Sequence, residues 1–156
     1  MKNLILILSL SLGLSAFSQV EVYQGDRVFF SNMIMNIDKG VVCEGRFNNW
    51  ANAILTVENN MIFKGYSTSP FDVLYSYEDG RLYLGESRFS SDVLFTFDEG
   101  KIYRGDSNFM LDQLYTFKDG NLYEGTVISV FDQVLTIQGN PSIPELFAVM
   151  MALELL

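Results

Sequence analysis

Acidic side chains are the groups in this chain whose type and spacing could do chemistry. Histidine is absent, which removes histidine-activated nucleophiles, histidine general bases and most zinc or copper sites. Asp72, Asp92 and Asp112 recur at one interval, with Asp98 between them. Two carboxylates about 5–10 Å apart can hydrolyse a glycoside, one as acid and the other as nucleophile or base. The turn acids Asp79, Glu99 and Asp119 add oxygen donors of the kind calcium takes. Yet acids repeated in identical positions read as a solvated rim, and the alternating-acid loop of calcium motifs is missing. The glycines are single rather than clustered, so no loop cradles a phosphate. The expectation is no catalytic residue, no metal ligand and no cofactor, with a carboxylate glycosidase as the disfavoured enzyme alternative.

The elements that position these acids follow from a 20-residue period. Gly25, Gly45, Gly65, Gly85, Gly105 and Gly125 hold it without insertion, each two residues after Tyr23, Cys43, Phe63, Tyr83, Tyr103 or Tyr123. Seven residues after the glycine comes Asn32, Asn52, Asp72, Asp92, Asp112 or Asp132. Such a register means one supersecondary module copied six times. In the unit 101–120, β-branched and aromatic stretches around 101–107 and 113–118 are followed by Asp119-Gly120, a strand and hairpin signal. Six units predict about twelve strands.

Three columns face one way. Val22, Val42, Ile62, Leu82, Ile102 and Leu122 are all aliphatic, as are Ile34, Ile54, Leu74, Leu94, Leu114 and Val134. Ile37, Val57, Tyr77, Phe97, Phe117 and Ile137 form a third apolar column. The polar column Asn36, Thr56, Ser76, Thr96, Thr116 and Thr136 predicts a mixed opposite face with Tyr and Thr exposed among charges. A glycine inside a strand either receives a neighbouring ring or bends the sheet at a bulge; curvature and closure is the favoured reading. Asp72, Asp92, Asp112 and Asp132 are expected as turn residues that accept from backbone amides two positions on. Asp119-Gly120 fits either a two-residue type I′ loop or the end of a three-residue loop with a G1 bulge.

The period stops at Asn140. Ser142 and Glu145 form a capping box with Pro144 in the first turn, so a helix begins there. It is apolar all round, with Leu146, Phe147, Val149, Met150 and Leu153 as candidate contacts and Glu154 the only later charge. Such a helix must be surrounded by apolar material. Fourteen residues would span about 21 Å, too short for a bilayer of about 30 Å. A closed twelve-strand barrel is conversely too wide for its own side chains to fill. The helix is therefore expected to plug the barrel, rather than pack outside it or in a dimer, with Glu154 near an end where water reaches it.

Before the repeats, Met1-Lys2-Asn3, the apolar run Leu4–Leu14 and Ala16-Phe17-Ser18 follow the grammar of a secretory signal peptide. No cysteine follows the cleavage site, so no lipid anchor of the bacterial lipoprotein kind is expected. The division is a leader at 1–18, a repeat β-barrel at 19–140, and a hydrophobic helix at 141–156 packed in the same domain. The full chain carries a formal charge of -9, which argues against nucleic acid and anionic lipid surfaces. Cys43, the single cysteine, stands in an aromatic column and reads as a small core substitute.

The run Tyr-x-Gly-x-Ser, then Asp-x-aliphatic-aromatic-Thr-aromatic-x-x-Gly, at 81–100 and 101–120, with Ser142-Ile143-Pro144-Glu145-Leu146-Phe147-Ala148-Val149, resembles the bacterial beta-flower proteins. The likeness spans about residues 20–156; the units at 21–40 and 41–60 depart from it, lacking the serine and having Asn for Asp. The resemblance implies exported or membrane-associated repeat proteins whose hairpins form petals of a shallow barrel. It also implies a distant likeness to tubby-type barrels and thus membrane association, although this acidic chain offers no basic headgroup site. The resulting expectation is a periplasmic or secreted, non-enzymatic structural or binding module of the cell envelope. Its partner would be an envelope protein or a lipid, its oligomeric state is open, and the alternative is a carrier or sensor of an apolar ligand.

Overall fold

The computed structural model describes residues 19–156; the expected leader at 1–18 lies outside the described residues. Twelve strands alternate in length. The short ones are β1 (Val20–Gln24), β3 (Val41–Glu44), β5 (Met61–Lys64), β7 (Arg81–Leu84), β9 (Lys101–Arg104) and β11 (Asn121–Glu124). The six-residue ones are β2 (Met33–Asp38), β4 (Ala53–Glu58), β6 (Val73–Glu78), β8 (Val93–Asp98), β10 (Gln113–Lys118) and β12 (Gln133–Gln138). Each is antiparallel to its sequence neighbours, and β12 pairs with β1 to close the barrel. The two departing units therefore take part in closure. At the seam, Glu21 faces Gln138 and Val22 faces Ile137, the register that Lys118 and Asn121 adopt across a turn.

Tight turns gather at one rim and eight-residue connections at the other; these are called the turn rim and the petal rim. At the turn rim Lys118 pairs with Asn121, leaving only Asp119 and Gly120 between them. Both have positive φ, +52° and +77°, which settles the hairpin as a two-residue type I′ turn.

The strand glycine differs from expectation. Gly105 has φ +65° and ends β9, so the first strand stops at 104 rather than continuing to 107. The bulge lies instead on the partner strand: Tyr103 faces Gln113 and Ile102 faces Tyr115, leaving Leu114 as the extra residue. Gly105 donates its N–H to the carbonyl of Leu94 in β8, the equivalent bulge residue on the other side, at 2.7 Å. Left-handed backbone after a strand needs a residue without Cβ crowding, so the glycine releases the chain outward and its neighbour does the bending.

The helix α1 (Ile143–Ala152) starts where the sequence says it should. Ser142 Oγ accepts from the Glu145 N–H, and Glu145 Oε2 accepts from the Ser142 N–H at 2.7 Å. It runs for 10 residues, about 15 Å, and so is shorter than the fourteen-residue expectation. Glu154 stops it: at φ +55° it lets Leu155 donate to the Met150 carbonyl and itself donate to that of Met151, a Schellman ending. Chain direction carries the helix from the turn rim toward the petal rim along the lumen.

Candidate functional site

The lumen is filled by the chain itself. Leu146, Phe147, Ala148, Val149 and Met150 have no exposed surface, and neither do Val22, Val42, Ile62, Leu82, Ile102 and Leu122. The Phe147 ring lies 6.0 Å from Tyr77 on β6 and 6.4 Å from Phe95 on β8, inside the range for aromatic pairs. Burying one such aliphatic or aromatic side chain contributes about 1.5–3 kcal/mol. A helix without an exposed side thus serves as the common core of six hairpins. Leu153 is half-buried at the petal-rim mouth, and Glu154 is exposed there. Below it, Tyr115 donates its phenol O–H to the Leu155 carbonyl at 2.8 Å, tying the chain end to β10. Burial pushes the phenols of Tyr77 and Tyr115 up from their ordinary value.

The outer wall departs from expectation. Tyr23, Tyr83 and Tyr103 are buried, with Phe63, and not exposed among charges, while Cys43 in the same column is buried as the small core substitute expected of it. The eight-residue connections fold back over them as petals. Arg88 reaches back to donate to Ser76 Oγ at 2.8 Å and pairs with Glu78. Asp106 accepts from Arg81 Nε at 2.7 Å, and Asn48 donates to Asp38. The polar column holds five of the six petals at the root, Ser76 instead accepting from Arg88. Thr56, Thr96, Thr116 and Thr136 donate to the carbonyls of Gly65, Gly105, Gly125 and Gly25 at 2.7–2.9 Å, and Asn36 does the same to Gly45. At the far end of three petals a serine hydroxyl donates to the aspartate five residues on: Ser67 to Asp72, Ser87 to Asp92 and Ser107 to Asp112. These aspartates are turn residues, but their partner is a hydroxyl rather than the amide two positions on. Asp132 lacks that clasp because Val127 stands at the serine position.

Six hairpins with their petals close into one ring, and the sequence profile of the 6-fold beta flower protein matches residues 22–150. The chain belongs to this family. No curated protein and no solved structure matches it.

In this beta-flower the acids with chemical promise are separated. Asp72, Asp92 and Asp112 sit on three different petals, each half-buried and engaged by its own serine. Asp98 lies at the opposite, turn rim, where a recess of about 460 Å³ is lined by Asp79, Arg81, Asp98 and Asp106. Arg81 is bound there by the Asp106 carboxylate, whose hydrogen bond and charge raise the guanidinium pKa. That geometry is an ion pair on a wet wall. Among the described residues no three Asp, Glu or Cys side chains gather closely enough to hold a metal ion. Cys43 is free and buried, with its sulfur 3.6 Å from Asn48 Oδ1 and the Asn49 carbonyl.

Sequence reasoning overlooked the petals' own apolar side chains. Every exposed large apolar residue in the described part lies in one of the six connections or, for Leu84, at the strand end leading into one. Their columns shift from unit to unit, so the 20-residue period does not reveal them. A count of aromatic and aliphatic residues between each strand-ending glycine and the next Asx would have done so.

Proposed function

We propose that this beta-flower is an exported, non-enzymatic structural or binding module of the bacterial cell envelope, with its helix a permanent filling and its petals the surface that meets a partner. The carrying observation is the occupied lumen: Leu146 to Met150 leave no exposed interior, so recognition falls to the outside of the flower. Export rests on the leader-like run Leu4–Leu14 and the small-x-small Ala16-Phe17-Ser18. The non-enzymatic part rests on the absence of histidine and the dispersal of the carboxylates. A second reading, carriage of an apolar ligand or membrane lipid, draws on a recess of about 430 Å³ at the petal-rim mouth. It is lined by Ile34, Val134, Leu135, Leu153 and Leu155, and a larger ligand would need the helix to withdraw.

Native mass spectrometry of protein purified from an exporting bacterial cell separates these readings. The expected species begins at Gln19 and carries no retained ligand. An uncut chain held in the cytoplasm would remove the export claim, and a stoichiometric acyl-chain adduct would replace the structural reading with the carrier.

A further inference from the structure

One cleft on the outer wall stays open where its counterparts are closed. Val41 and Thr56 face each other across β3 and β4 and form its floor. Lys39 and Glu58 flank it from two turns, Tyr66 and Thr68 cover it from the petal that follows β5, and its volume is about 270 Å³. In three other units the petal supplies a partner to the wall: Asn48 donates to Asp38, Arg88 pairs with Glu78, and Asp106 accepts from Arg81. Here Tyr66 takes the position of Asp106, and Thr68 that of Asn48 and Arg88. Among the described residues Lys39 and Glu58 therefore belong to no ion pair, and the Tyr66 ring at the same cleft is 68% exposed. We propose that this cleft binds one pyranose unit of a neutral saccharide.

The chemistry of the lining selects that ligand. Its charged groups are one ammonium, Lys39, and one carboxylate, Glu58, which sum to zero and favour neither an anion nor a cation. Lysine only donates hydrogen bonds, and an ionised glutamate only accepts them. A neutral ligand that satisfies both must carry donors and acceptors side by side, as the vicinal hydroxyls of a sugar do. The same sugar ring presents a face of C–H groups, which packs on an exposed aromatic ring such as Tyr66. Thr68, exposed at the edge of the cleft, adds a hydroxyl that can donate or accept. Size agrees as well. A volume of about 270 Å³ falls below the roughly 300–1,000 Å³ of sites for drug-sized molecules and suits a single sugar ring. The proposal rests on the reading that recognition falls to the outside of the flower, and adds the chemistry recognised there. It does not depend on export.

Saturation-transfer NMR on the full chain tests this with two neutral hexasaccharides, cellohexaose and N-acetylated chitohexaose, beside the variants Tyr66→Phe and Tyr66→Ala. Tyr66 is mostly exposed, so both variants should melt as the parent does. The expected result is saturation of the ring protons of at least one sugar. Tyr66→Phe, which keeps the ring, should retain that signal, and Tyr66→Ala should weaken the affinity about tenfold. No transfer to either sugar at millimolar concentration would overturn the proposal, whether or not the zwitterion glycylglycine, tested alongside, binds instead. Transfer that survives Tyr66→Ala undiminished would overturn it too, since the sugar would then sit elsewhere. Either failure would leave the structural reading standing, because retained ligand and leader cleavage are read separately by native mass spectrometry.

Discussion

Asn36 shows how much a single column can say. It is fully buried, its amide donates to Gly45, and its Oδ1 has no partner. Four other units place threonine there, whose one hydroxyl meets the glycine carbonyl and leaves nothing unsatisfied. Removing an orphaned buried carbonyl while keeping the donor should stabilise the fold by about 1 kcal/mol. Asn36→Thr is therefore expected to raise the urea midpoint, and Thr96→Val, which strands the Gly105 carbonyl, to lower it by a similar free energy. Equal midpoints for the two variants would show that the polar column does not hold the petals. Turn glycines make a different demand. A Cβ at Gly100 would stand 2.7 Å from the Phe117 carbonyl oxygen, on top of φ +80°, which explains why this site wants glycine for space as well as conformation.

At the scale of elements, helix termination and the helix tether carry the testable consequences. Glu154 occupies the left-handed position of the Schellman ending, where glycine is usual and other L-residues cost about 1–2 kcal/mol. Its side chain is solvated, so Glu154→Gly should stabilise by roughly 1 kcal/mol in thermal or urea unfolding. Tyr77 and Tyr115 titrate above the ordinary tyrosine value because burial disfavours the phenolate. A raised folded value means their contribution is intact below about pH 10, where the unfolded phenols begin to ionise. It is then lost as pH rises through the folded value. Urea midpoints measured at pH 8 and pH 11 should fall for the parent and fall less for Tyr115→Phe; an equal fall would place the alkaline loss elsewhere.

The elements also mark where sequence stops being informative. The strand count, hairpin turns, capping box and helix all leave local signals, because period, Asp-Gly pairs and Ser142/Glu145 act over a few residues. The outward turn at Gly105 and the bulge at Leu114 do not: both lie in runs that read as plain strand, and only cross-strand pairing distinguishes them. Petal folding is still less visible. It depends on contacts such as Arg81 with Asp106, which are 25 residues apart, and these vary between units. A period exposes only what every unit repeats.

For the whole molecule, the helix and the wall complete one another. Twelve strands make a ring wider than side chains can close, and a helix buried on every face cannot stand alone in water. Phe147 is the centre of that arrangement, against β6 and β8 at once. Phe147→Ala should therefore cost about 3–5 kcal/mol, more than a truncation anywhere in the petals. The most direct measurement is the thermal unfolding of a chain ending at Asn140, followed by near-ultraviolet circular dichroism. With the helix as the shared core, the shortened chain should lose its cooperative transition and its fixed aromatic signal. A sharp transition at the temperature of the full-length protein would mean the ring stands without its filling, and would contradict the account.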